Sequence, residues 1–288
     1  MNEGLKKFTV GFLLTVFTGA SGIQALASQS SPAQKMSQTA AATEDQSKRI
    51  SAVRAAKYAN SLHLAYIKTS SGSVNNQAKT GVGALAARLN ERTSVEPEGV
   101  VGLDIEKDPL VFFPFIYWPV TRDVEELSPY AQKKVQNYIN NGGIIVFDLL
   151  DKSEKLSNSK ALRRLLGGVN IKPLVKMDRD HTLAHTFYVI QGLPGSNRRS
   201  PVWIEAPGND NSEDVSSVII SQSNWAGAWA GINLMPKSKE YEAAIRAGVN
   251  MVMFALTGGY KRDGLHAESI AARRETAKTA ATDEPKEP

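Results

Sequence analysis

The chain contains no cysteine among its 288 residues. That one absence removes disulfides, thiolate metal sites, cysteine nucleophiles and a lipid-modified cysteine anchor together. Also missing are an H-E-x-x-H zinc helix, a G-x-x-x-x-G-K-[ST] phosphate loop and a G-x-S-x-G nucleophile elbow. Long runs of one charge are absent as well. The 34 basic and 29 acidic residues are interspersed and leave a net charge of +5. A high isoelectric point without a basic stripe gives no footprint for nucleic acid, so none is expected as a partner. Beyond residue 27 no apolar run approaches the roughly 20 residues that a membrane-spanning helix needs.

What is present begins with a leader. Lys6 and Lys7 precede an apolar stretch, Phe8 to Ile23, and Ala25-Leu26-Ala27 supplies a small-x-small cleavage site. The stretch is short and broken by Gly11, Gly19 and Gly22. Residues 1–27 therefore read as a signal peptide cleaved after about Ala27, and the mature protein is expected to be exported to the periplasm. The alternative is an uncleaved N-terminal membrane anchor. Residues 28–61 form a polar linker with a helix-compatible part from Ile50 to Ala59, and residues 267–288 a charged tail expected to be disordered.

Between them, residues 62–266 alternate strand and helix patterns, and 42% of the chain is hydrophobic, enough for a buried core. The clearest unit runs from Phe112 to Asp151. A strand is expected over Phe115–Trp118, after Pro114, which lacks an N–H for a ladder. Ser128 is a good N-cap and Pro129 suits the first helical position. Ala131, Val135, Tyr138 and Ile139 then form one apolar stripe. Gly142-Gly143 ends the helix, and Ile144 to Phe147 reads as a strand covered on both faces. Further strands are expected over Leu62–Lys68, His185–Ile190, Val202–Glu205 and Val215–Ser221. Helices are expected over Gly83–Asn90, from Ser159 to Leu166, and from Lys239 to Leu256, the last closed by Gly258-Gly259. The fold class expected from this alternation is α/β with a mainly parallel sheet.

Six segments carry a resemblance. Residues 64–69 (LAYIKT), 112–120 (FFPFIYWPV), 140–148 (NNGGIIVFD), 180–188 (DHTLAHTFY), 215–230 (VSSVIISQSNWAGAWA) and 246–261 (RAGVNMVMFALTGGYK) resemble, in order, the bacterial family called domain of unknown function 4159. The resemblance implies a flavodoxin-like, class I glutamine amidotransferase-like three-layer sandwich and a cell-envelope setting, with an envelope or membrane-protein complex as partner. Longer relatives carry this domain at the end of membrane proteins, where this chain has a leader instead. It also implies an aspartate before Trp225, where this chain has Asn224. Amidotransferase chemistry needs a thiolate on a strained strand-to-helix turn beside a histidine base, so without cysteine that reaction is excluded.

Polar residues at strand ends are the candidate site, because open α/β sheets bind ligands beyond the carboxyl ends of their strands. Tyr117 and Trp118 end one strand, Asp148 and Asp151 follow the next, and Ser223, Asn224 and Trp225 follow a third. These seven are the candidate ligand contacts, for a small polar ligand. Asp148, Asp180 and His181 are the candidates for acid/base chemistry in an alternative, hydrolase reading, with or without a metal. His181 and His185 stand at i and i+4, which suits a metal on a helix but spreads the rings about 13 Å apart on the strand expected there. No metal site is expected. Gly81-Val82-Gly83-Ala84-Leu85-Ala86 fits a relaxed dinucleotide pattern at a helix start, but the preceding strand ends too far upstream, so no cofactor is expected. Asp210 to Asp214 starts like a calcium loop without its glycine, and Arg198-Arg199 reads as an exposed turn able to pair with an anion. The expected function is a non-catalytic binding or interaction module.

Overall fold

The computed structural model describes residues 55–206, 216–232 and 234–257. The leader, the linker as far as residue 54, the acidic loop at 210–214, the Gly258-Gly259 stop and the charged tail lie outside the described residues. Helical residues 55–60 (α1) lead into β1 (His63–Ile67), α2 (Gly72–Arg92), β2 (Gly99–Leu103) and β3 (Phe115–Val120). Then follow α3 (Pro129–Asn140), β4 (Ile144–Leu149), α4 (Lys160–Leu166), β5 (Leu174–Lys176) and β6 (Trp203–Glu205). The order ends with β7 (Val218–Ser221), α5 (Trp225–Trp229) and the helix at 239–257 (α6).

The strands form one seven-stranded sheet in the order β2-β1-β3-β4-β7-β6-β5. The first five are mutually parallel, and β6 and β5 add an antiparallel margin. This is a mixed α/β architecture with a mostly parallel sheet. Alternating residues of the central strands face opposite layers, as the strand period of two requires. Tyr66, Tyr117, Val146 and Ile219 share one apolar cluster with α2, α5 and α6. Ile67, Trp118, Phe147 and Ile220 share the other with α3 and α4.

Local signals placed the central unit correctly. The Ser128 hydroxyl accepts from the Ala131 N–H at 3.1 Å, Pro129 opens α3, and the whole predicted stripe is buried. Gly142 takes φ 83°, a left-handed conformation that side-chain-bearing residues resist. Pro119 lies inside the central strand β3 without breaking it. Leu150 donates to the Val120 carbonyl, so Val120 turns its backbone toward β4 and Pro119 turns toward β1. The β1–β3 pairing ends at Tyr66 and Tyr117, so no ladder bond awaits the missing N–H.

Two expectations are corrected. The helix foreseen over Gly83–Asn90 is α2, 21 residues long, and it begins eleven residues earlier, at Gly72. Its first turns carry no apolar stripe to betray them, and the Ser71 hydroxyl caps them by accepting from Val74. The glycine pattern at 81–86 accordingly lies inside the helix rather than at its start. Gly81 is there because α5 crosses closely: a Cβ would collide with the Ala226 carbonyl. The second correction is His185–Ile190, which is not a strand. The Asn250 side chain of α6 accepts from Tyr188 N–H at 2.8 Å and donates to the Leu183 and Tyr188 carbonyls at 3.0 and 2.9 Å. Backbone groups that would have joined a ladder are satisfied by one buried amide instead.

Candidate functional site

The carboxyl ends of β3, β4 and β7 meet where α5 begins. Asp148 projects from β4 toward the α5 layer and is 0% exposed. Its carboxylate accepts from the Tyr117 hydroxyl at 2.7 Å, from Asn224 N–H at 2.9 Å and from Trp225 N–H at 2.6 Å. The last two are orphan donors at the start of α5, so Asp148 caps a helix from another strand. Burial pushes the Asp148 carboxyl up to about 6, while the hydrogen bonds from Tyr117, Trp225 and Asn224 pull it down. The same buried pairing raises the Tyr117 hydroxyl well above its ordinary range, with desolvation the larger cause.

Asn224 is the hinge of this strand-to-helix turn. It adopts φ 49°, ψ 57°, a left-handed conformation in which Asn is tolerated better than most residues. Its side-chain oxygen accepts from Gln77 Nε2 of α2 at 2.6 Å and from Gly227 N–H at 3.2 Å. An aspartate here would place a second carboxylate beside Asp148, whereas the amide holds the turn without adding charge. Trp225 and Trp229 are both fully buried, and their ring N–H groups donate to the Leu193 and Ala244 carbonyls at 3.0 Å each. Truncating either ring would cost about 3–5 kcal/mol. Ser223 is also buried, its hydroxyl 2.7 Å from that of Ser221.

The sequence candidates therefore separate. Tyr117, Asp148, Ser223, Asn224 and Trp225 converge, but as a closed hydrogen-bonded knot rather than an open wall. Trp118 faces the opposite layer, where its ring packs on Phe147 with centroids 5.3 Å apart. Asp151 sits at the rim of that same layer. It accepts from Arg122 Nε at 2.8 Å and from Ser153 N–H at 2.9 Å, which hold its carboxyl well below the usual range. A cleft of about 320 Å³ opens beside it, with Arg122, Glu154, Lys160 and Arg164 on its walls. His181 caps a short 3-10 turn, its Nδ1 accepting from Leu183 N–H at 3.2 Å, and burial lowers its basicity. Its ring lies against Phe254 of α6. Asp180 is exposed, and His185 bonds the Arg179 carbonyl at 2.7 Å. His181 and Asp148 share no hydrogen-bond partner. Among the described residues, no group of three or more His, Asp or Glu could hold a metal ion.

At the topological switch point, between β1 and β3, the turn into α2 is closed by its own side chains. Asn75 accepts from Thr69 N–H at 2.7 Å and donates to the Thr69 carbonyl at 2.8 Å, closing the turn before α2. The open concavity lies farther along the same edge. β5 ends at Lys176 and β6 begins at Trp203, and the antiparallel margin brings both to the carboxyl edge of β7. There the segments 176–179 and 191–202 and the start of α6 enclose a cleft of about 830 Å³. Lys176, Arg179, Arg198 and Arg199 line it, against Asp178 and Glu240. Arg198 reaches Glu240 at 3.3 Å. The 191–202 segment is fixed to the knot: Asn197 N–H donates to the Ser223 carbonyl at 2.9 Å, and a Cβ on Gly195 would strike that same carbonyl. Of these cations the sequence singled out only Arg198 and Arg199. Lys176 and Arg179 stand some twenty residues upstream, and nothing local signals that the two groups meet.

None of the curated proteins matches the chain. One protein-family profile does match, over residues 63–256, the stretch that builds β1 through α6 and so contains the sheet, the Asp148 knot and the basic cleft. The chain thus belongs to the family described as a domain of unknown function, DUF4159.

Proposed function

We propose that this protein is a non-catalytic, exported module of the cell envelope that binds a small multiply charged anion, such as a phosphate ester or a polycarboxylate. The observation that carries the reading is the cleft at the carboxyl edge: Lys176, Arg179, Arg198 and Arg199 surround one concavity of about 830 Å³ that only Asp178 and Glu240 oppose. Like-charged groups around a low-dielectric concavity focus their field into it and raise the local concentration of counter-charged ligands. Arg179 and Arg199 also offer planar forks suited to carboxylate or phosphate oxygens.

The scaffold in this reading is flavodoxin-like and class I glutamine amidotransferase-like. The parallel order β2-β1-β3-β4-β7 supports it, since it repeats the 2-1-3-4-5 winding of doubly wound sheets. With no cysteine the scaffold has no thiolate to run that reaction. The leader supports export, and an envelope complex is the setting in which the bound anion would be presented. A hydrolase reading built on Asp148 and His181 has no observation in its favour, because protein donors occupy both Asp148 oxygens.

Calorimetric titration with inorganic phosphate, citrate and a sugar phosphate tests the proposal. At least one should bind saturably, with affinity falling as salt rises. The double variant Arg179→Glu, Arg199→Glu should weaken it by about tenfold or more, the scale expected for removing charge-assisted contacts. Absence of saturable binding by all three, or equal binding by the variant, would sink the idea.

A further inference from the structure

The opposite, amino edge of the sheet carries a second concavity of different chemistry. It lies where β3 and β4 begin, between the 107–114 loop and α3, and measures about 640 Å³. Pro109, Val111, Pro114 and Tyr130 give it an accessible apolar lining over the buried Leu110, Phe113 and Tyr138, and Lys107, Lys133 and Lys134 stand around it with no carboxylate among the lining residues. Tyr138 is anchored from below by its hydroxyl, which donates to the Phe113 carbonyl at 2.6 Å. The floor is thus fixed before anything binds.

Two lining residues are large, apolar and out in solvent: Val111 is 75% exposed and Tyr130 is 66% exposed. Each costs free energy where it stands, and neither contributes to the core. The lysines are not equally engaged. Lys107 reaches Asp104 at 3.4 Å, and Lys134 donates to the Asp108 carbonyl at 2.9 Å while lying 5.3 Å above the Tyr130 ring. Lys133, exposed on α3, has no partner among the described residues. A groove with an apolar floor, a lysine rim and projecting apolar flanks matches a ligand that is apolar at its centre and anionic at its sides. A small amphipathic anion could fill the floor but would leave Val111 and Tyr130 in water. An extended polypeptide segment covers the floor and both flanks at once.

We propose that the groove between the 107–114 loop and α3 docks a partner polypeptide segment in which a large apolar side chain is flanked by carboxylates. The apolar residue seats against Pro109 and Pro114, its neighbours cover Val111 and Tyr130, and the flanking acids meet Lys133 and the free N–H groups of Lys134. The site is independent of the anion cleft, which lies at the other end of the strands.

Fluorescence anisotropy on the full chain tests this, with a labelled short peptide holding a Trp-Leu pair between glutamates. A counterpart with lysines for the glutamates, and dodecanoate as a small amphipathic anion, serve as comparisons. The acidic peptide should bind and the basic one should bind at least about tenfold more weakly, since like charges across an interface are repulsive. The double variant Val111→Ser, Tyr130→Ser should weaken the acidic peptide by about tenfold, as truncated apolar anchors do. Lys133→Glu should weaken it by a smaller factor, with both variants keeping the parent melting temperature because the changed side chains are exposed. Arg179→Glu, Arg199→Glu should leave it unchanged, which separates this site from the anion cleft. Failure of the acidic peptide to bind, equal binding of the basic peptide, unaltered binding by the Val111/Tyr130 variant, or binding of dodecanoate alone would each overturn the proposal.

Discussion

Asp148 and Asp151 lie three residues apart at the end of β4, yet they belong to regions with opposite physics. Asp148 is in the interior beneath α5, without contact to water, and every bond to it comes from a fixed donor of β3 or the β7–α5 turn. Asp151 is at the solvent rim, paired with an Arg122 whose side chain is 74% exposed. Burial raises the first carboxyl and hydrogen bonding to a cation lowers the second. An acid at a strand end is therefore not one kind of feature. Its role depends on whether the next layer closes over it, and the sheet places one acid on each side of that boundary.

The sharpest way to break the comparison is to remove the interior acid. Asp148→Ala should leave the Tyr117 hydroxyl and two backbone N–H groups buried without an acceptor. At about 1–3 kcal/mol for each unsatisfied group, a loss on the order of 4–6 kcal/mol is expected in urea unfolding. Parent-like stability of that variant would show that water reaches the knot. The pH dependence comes next. Because the folded carboxyl titrates near 6 and the unfolded one near 3.8, the folded state holds the proton more tightly between those values. Stability from this group should therefore fall as pH rises from about 4 to about 6 and level off above, by up to about 3 kcal/mol. Asp148→Asn should remove that part of the slope, so an unchanged slope in the variant would place the titration elsewhere.

Tyr117→Phe deletes one buried donor while keeping the ring against Trp229, whose centroid is 5.7 Å away. A loss of about 1–2 kcal/mol is expected, with the Asp148 titration moving upward because a hydrogen bond to the charged form has gone. A downward shift, read by the pH dependence of unfolding, would contradict the assignment. At the rim, Arg122→Ala should leave the melting temperature within about 2 °C of the parent, since exposed ion pairs contribute little. A large drop there would erase the distinction between the two acids.

The parts of the molecule that were legible in the sequence share a local cause. The α3 unit could be placed because Ser128, Pro129, the apolar stripe and Gly142 each act within a few residues of where they stand. The start of α2 could not, since its first turns are polar and held by a single serine cap. The 185–190 segment misled for the reverse reason: its residues suit a strand, but Asn250, some sixty positions later, takes its backbone bonds. Of the candidate site, the position of Asp148 near a strand end was visible and its burial in a hydrogen-bonded knot was not. Its partner Trp225 is 77 positions away, and the turn that meets it exists only once β7 has paired with β4.

By itself, then, the sequence determined the α/β class, the capped α3 unit, the family and the absence of thiolate chemistry, all of which depend on residue identity or short spacing. The tertiary structure alone decided which polar residues stay accessible. It buried Asp148 under α5, turned Trp118 to the far layer and gathered Lys176, Arg179, Arg198 and Arg199 around one cleft. Accessibility is a property of how layers close over strand ends, and that closure is made by contacts between segments far apart in the chain.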